Sequence, residues 1–131
     1  MSTLEQKQLS ELKAKKIALT KKYDKSKGVN SFALNDNLVW LDKATRVGLV
    51  NSLNIEKAAG RTDTELWLNG QPYKLPIDMV LQMLVVVELY AIECYNVTEQ
   101  HIANINALTD SNRVHNYNYT TGYPERPRFE V

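Results

Sequence analysis

The sequence predicts an α+β fold: a long amino-terminal helix, two β-hairpin–helix units forming a small antiparallel sheet packed on helices, a further short helix, and an extended carboxy-terminal arm. Three observations carry this prediction. Residues 77–95, IDMVLQMLVVVELYAIECY, form a helix-length run broken only by Asp78, Gln82, Glu88 and Glu93. A helix apolar nearly all round must be buried nearly all round, so this run is the expected core helix. Two short apolar stretches flank Asn35-Asp36 and two more flank Asn69-Gly70. Both dipeptides tolerate positive φ, and Asn-Gly is the strongest short hairpin signal. Finally, the two hairpin–helix segments align without a gap at an offset of 34 residues: Leu34-Asn35 falls on Leu68-Asn69, Leu41 on Leu75 and Val50 on Leu84.

The chain opens with strong helix formers over residues 3–27 and has no Gly or Pro before Gly28. Ser2 or Thr3 can cap the start and Gly28 can end it. Leu9, Leu12, Lys16, Leu19 and Tyr23 follow 3-4-3-4 spacing, a two-heptad seam with a lysine in one core slot. Two heptads are too short to hold together alone. The helix therefore packs on its own domain or joins a bundle of several copies.

The first hairpin spans residues 31–41, and Asp42 caps a helix from Lys43 to about Ala59. Ala44, Val47, Val50 or Asn51, and Ile55 lie at helical spacing, Asp42 and Arg46 can pair at i,i+4, and Gly60 stops the helix. The second hairpin, residues 65–75, leads through Pro76 into the core helix. Pro72 lies within a strand, which places that strand at an edge. The four strands make one sheet or two small ones. Thr98 is the expected cap of a separate helix from Glu99 to about Leu108, with Ile102, Ile105 and Leu108 inward. Asp110 or Ser111 starts one more turn through Val114. The expected domains are 1–28, 29–115 and the arm 116–131.

The arm, NYNYTTGYPERPRFEV, interleaves Tyr117, Tyr119, Tyr123 and Phe129 with Asn, Thr, Gly and Pro. Such tyrosines supply contact area and a hydrogen-bonding tip at low entropic cost. The arm either wraps its own domain or lies on a neighbouring protein.

Charge and chemistry exclude more than they include. The net charge is +1, which argues against a dedicated nucleic-acid binder. Its distribution is uneven: residues 1–30 hold eight lysines against Glu5, Glu11 and Asp24, a balance of +5, and the rest of the chain balances at −4. There is no phosphate-binding loop, dinucleotide fingerprint, HExxH or CxxC. His101 and His115 are too far apart in sequence to share a metal at helical spacing, and Cys94, the single cysteine, belongs to the most apolar helix. No catalytic residue, metal or cofactor is expected. Glu88 and Glu93 point in different directions and mark the helix's solvent edges or pair with Arg46 or a lysine; an inward Glu88 makes a partner such as Arg46 almost obligatory. Trp40 and Trp67 are expected in the core of the sheet. The polar, lysine-rich start is no signal peptide, and the acidic residues of 77–95 argue against a membrane span, so synthesis in a reducing cytoplasm is expected.

Several of these segments, WLDKATRVGL at 40–49, NSLNIEKAAG at 51–60, LWLNG at 66–70, VELYAIECYNVT at 87–98 and YTTGYPE at 119–125, resemble the phage- and prophage-associated "domain of unknown function 4376" family over roughly residues 31–127. That family brings no catalytic residues to carry over. The resemblance implies a virion context, with a tail or tail-fibre role. Together with the seam and the arm it implies a non-catalytic component that forms a homo-oligomer, with a trimer among the options because tail fibres are commonly trimeric, and docks a tail or fibre protein. An assembly chaperone that leaves the mature virion fits the same sequence. The docking residues expected are Leu9, Leu12, Leu19 and Tyr23 in the seam, and Tyr117, Tyr119, Tyr123 and Phe129 in the arm.

Overall fold

The computed structural model describes residues 2–131 and shows an α+β chain with two antiparallel strand pairs and four α-helices among the described residues. The elements are α1 (Thr3–Asp24), β1 (Ser31–Leu34), β2 (Asn37–Trp40), α2 (Lys43–Ala58), β3 (Asp63–Leu68), β4 (Gln71–Pro76), α3 (Ile77–Ala107), α4 (Ser111–Asn116) and β5 (Arg128–Phe129). The chain divides into two compact units, one of residues 1–29 and 92–124, the other of 30–91 and 125–131.

In the second unit both hairpins form as the turn chemistry demands. Asn35 and Asp36 take φ of 48° and 65°, and Asn69 and Gly70 take 51° and 74°. Two consecutive positive-φ residues match the right-handed twist of the flanking strands. The offset of 34 holds in the structure, where β2 and β4 start at Asn37 and Gln71 and α2 and α3 at Lys43 and Ile77.

The strands do not merge into one sheet. β3 and β4 pair only with each other, while β1 lies between β2 and β5, antiparallel to β2 and parallel to β5. The turn residue Asn69 links the two sheets, donating from Nδ2 to the Leu38 carbonyl at 2.9 Å. Trp67 departs from expectation. The alternation of β3 turns Thr64, Leu66 and Leu68 inward, leaving Trp67 62% exposed across from Pro72. Pro76 is the last residue of β4, so helix α3 begins one residue later than Pro at its first position would have it.

Asp42 caps α2 as expected, its Oδ1 accepting from the Thr45 amide at 2.7 Å. That bond, then the Thr45 side chain, holds its carboxyl below the usual range. Asp42 is therefore occupied with the cap, and Arg46 turns to Glu88 instead, at 2.9 Å. Lys57, at the other end of α2, meets Asp78 at 2.8 Å. These two pairs run α2 antiparallel to the first turns of α3. Gly60, at φ 88°, ends α2. The core of this unit joins Phe32 and Leu34, Val39, Leu53, Leu66, Leu68 and Leu75 to the face of α3 bearing Ile77, Val80, Met83, Leu84 and Val87.

Helix α3 corrects the sequence reading. It runs unbroken from Ile77 to Ala107, not as two helices divided at Thr98. Asn96 and Thr98 are poor helix formers, but a propensity cost of a few tenths of a kcal/mol per residue yields to packing. Cys94, Thr98, His101 and Ile105 continue one buried face, and the Thr98 hydroxyl meets Tyr123 Oη at 2.7 Å rather than capping a new helix.

In the first unit, α1 is capped by Ser2, whose hydroxyl accepts from the Glu5 amide. It ends at Asp24, before Gly28, because the Ser26 hydroxyl captures the Tyr23 carbonyl at 2.6 Å. Its buried residue is Thr20, one position beyond Leu19, and Leu19 is 48% exposed. The lysine in the seam is accommodated by helix ends. Lys16 Nζ donates to the carbonyls of His115 and Tyr117 at 2.8 and 3.3 Å, and Lys13 Nζ to that of Asn106 at 2.8 Å. Carbonyls at helix C-termini lack intrahelical partners and favour positive charge.

Candidate functional site

Eight residues were expected to bind a partner, and the structure places each. On α1, Leu9, Leu12 and Tyr23 are half-buried, while Leu19 faces out. In the arm, Tyr117, Tyr119, Tyr123 and Phe129 are all half-buried, and each engages its own unit. The rings of Tyr119 and Tyr123 meet Tyr23 edge-on, with centroids 5.8 and 5.4 Å apart. Lys16 Nζ lies 5.8 Å from the centre of the Tyr119 ring. Burial pushes the Tyr123 phenol above its ordinary range, against the hydrogen bond from Thr98. Phe129 meets Phe32 edge-on at 5.7 Å. Thus Tyr23, Tyr119 and Tyr123 form one cluster, and Phe129 belongs to another.

The organising residue of the arm is one that sequence reasoning assessed only as a metal ligand. His101 is 8% exposed on α3, with Nε2 2.7 Å from the Thr121 carbonyl and Nδ1 2.6 Å from Tyr117 Oη. A carbonyl only accepts, so Nε2 carries the proton, and in the neutral ring Nδ1 accepts from the phenol. Asn104 Nδ2 donates to the same phenol oxygen at 3.1 Å. A buried imidazole thus has both nitrogens satisfied by the arm. The spacing of His101 from Tyr117 carries no local signal; only the folded arm joins them.

The cavity in the second unit is small and wholly apolar, lined by Phe32, Leu41, Leu49, Leu66, Leu68, Val80, Met83, Leu84 and Val87. Cys94 is fully buried, Glu88 pairs with Arg46, and Glu93 is exposed. Among the described residues no three His, Cys, Asp or Glu side chains gather as a metal site, and no helix is long and apolar enough to cross a membrane.

What the chain does expose is apolar surface. In the second unit, Val85, Val86 and Leu89 of α3 are 49%, 38% and 57% exposed, while Val87 is buried at 3%. The core face of α3 lies near Val80, Met83 and Val87, and these three residues fall on the opposite side. Trp67 adds an exposed aromatic on the outer face of β3. Arg46, buried on α2, pairs with the part-exposed Glu88 of this helix. Comparison with protein-family models, curated proteins and solved structures finds no match to this chain.

Proposed function

We propose that this chain is a non-catalytic phage structural protein, a small tail or tail-fibre-associated component that self-associates and docks a larger virion protein. The observation that carries the assembly half is the outward side of α3, where Val85, Val86 and Leu89 stay exposed on the most apolar helix of the chain. A monomer gains nothing from them. Covering such half-exposed side chains contributes roughly 1 kcal/mol each. Trp67 supplies the kind of aromatic anchor on which interfaces concentrate their energy. The virion half is supported by the resemblance of the five segments within residues 40–125 to the phage-associated family.

The docking residues favoured by this reading shift from the arm to α3, because the arm's tyrosines are engaged within their own unit. Light scattering of the wild-type chain and of Leu89→Glu tests the assembly half. The wild type is expected as an oligomer and the variant as a monomer with unchanged far-UV circular dichroism. A strictly monomeric wild type removes this half. Mass spectrometry of purified virions tests the other half: fixed stoichiometry supports a tail component, and absence from the particle turns the reading to an assembly chaperone.

A further inference from the structure

The outer edge of β1 already holds a guest strand. The Ala33 amide donates to the Pro127 carbonyl and the Asn35 amide to the Phe129 carbonyl, both at 2.9 Å. Arg126 Nε donates to Ser31 Oγ at 2.8 Å. The Asn35 side chain grips Val131 at both backbone groups: its Oδ1 accepts from the Val131 amide at 2.9 Å and its Nδ2 donates to the Val131 carbonyl at 3.3 Å. The Phe129 ring packs on Phe32. Backbone pairing, a side-chain amide clamp, an arginine contact and an aromatic seat together make an acceptor site for one extended segment.

We propose that this edge takes residues 125–131 of a second copy, exchanged for the chain's own, so that tails link copies of the protein. The segment that fits the edge is carried by every copy, and a swapped tail makes the same contacts as an unswapped one. The backbone pairing of the tail spans only Arg128–Phe129, against four residues between β1 and β2, so its release is the shorter opening of this sheet. Pro124 precedes the segment and Pro127 lies within it, and the stiffness of Pro favours an extended course there. Acceptance is selective: the pattern read is Arg126, Phe129 and the Val131 backbone within reach of Asn35. This linkage is separate from any pairing through α3.

The test uses the full chain and a fluorescent peptide of residues 125–131, Glu-Arg-Pro-Arg-Phe-Glu-Val, followed by anisotropy. Saturable capture is expected, at least about ten-fold weaker for the same peptide carrying Phe129→Ala, which loses the aromatic seat. The Asn35→Ala chain, with unchanged circular dichroism, is expected to capture the wild-type peptide more weakly. In the Leu89→Glu background, native mass spectrometry of isotope-labelled and unlabelled chains is expected to show mixed dimers that saturating peptide dissolves. Absence of capture by the folded chain, or equal capture of both peptides, overturns the acceptor site. Capture with no peptide-sensitive mixed dimers overturns the exchange between copies.

Discussion

Arg46 Nε stands 2.9 Å from Glu88 Oε1, with the arginine side chain 6% exposed and the glutamate side chain 35% exposed. The contact is off-line for a hydrogen bond, so it is held by charge. The asymmetry in burial predicts an asymmetry in mutants. Glu88→Ala strands a buried cation and is expected to destabilise the fold by about 3 kcal/mol, the low end for breaking a buried pair, because Glu88 is itself part-exposed. Arg46→Met leaves a part-exposed glutamate side chain, not a buried cation, and keeps the packing of the stem, so it is expected to cost less. Urea denaturation of the two variants checks the order; equal losses would contradict it.

Removing one hydroxyl should loosen the arm. Tyr117→Phe leaves Nδ1 of the buried His101 without its donor, a loss of about 1–3 kcal/mol. Hydrogen exchange is expected to quicken over residues 117–124 while the hairpins keep their protection.

The pH response of the arm follows from Tyr123. Its pKa is raised in the folded state by burial, so the protonated phenol is the form the fold prefers. The stabilisation is fully present below the ordinary tyrosine value of 10.0 and is lost as pH rises through the higher folded value. Phenolate absorbance should therefore show one tyrosine titrating late, and Thr98→Val should raise it further by removing the hydrogen bond that opposes the shift.

The two hairpin turns invite opposite substitutions. Gly70 adopts φ 74°, so Gly70→Ala is expected to cost about 1 kcal/mol. Asp36 adopts φ 65° with a side chain, so Asp36→Gly is expected to stabilise the first hairpin by a few tenths of a kcal/mol to about 1 kcal/mol. Thermal melts of both single variants check the opposite signs.

Where a signal was local, the sequence was sufficient. Asn35-Asp36 and Asn69-Gly70 specify their turns through the φ values they tolerate, and Asp42 specifies the start of α2 through one hydrogen bond to Thr45. The apolar run from Ile77 announced a core helix, but the burial nearly all round that it implied does not form, since Val85, Val86 and Leu89 stay exposed. Of the solvent edge, the lysine or Arg46 open to Glu88, the structure takes Arg46. Tertiary structure decided the rest. It carried α3 through Asn96 and Thr98 to Ala107, because the buried face of Cys94, Thr98, His101 and Ile105 outweighs weak propensities. It turned Trp67 outward, since a strand offers only alternate residues to one core. It gave the arm's tyrosines to His101, Thr98 and Tyr23, and the last strand to β1. Such pairings join residues distant in the chain, and no local pattern encodes a contact whose partner is chosen by packing.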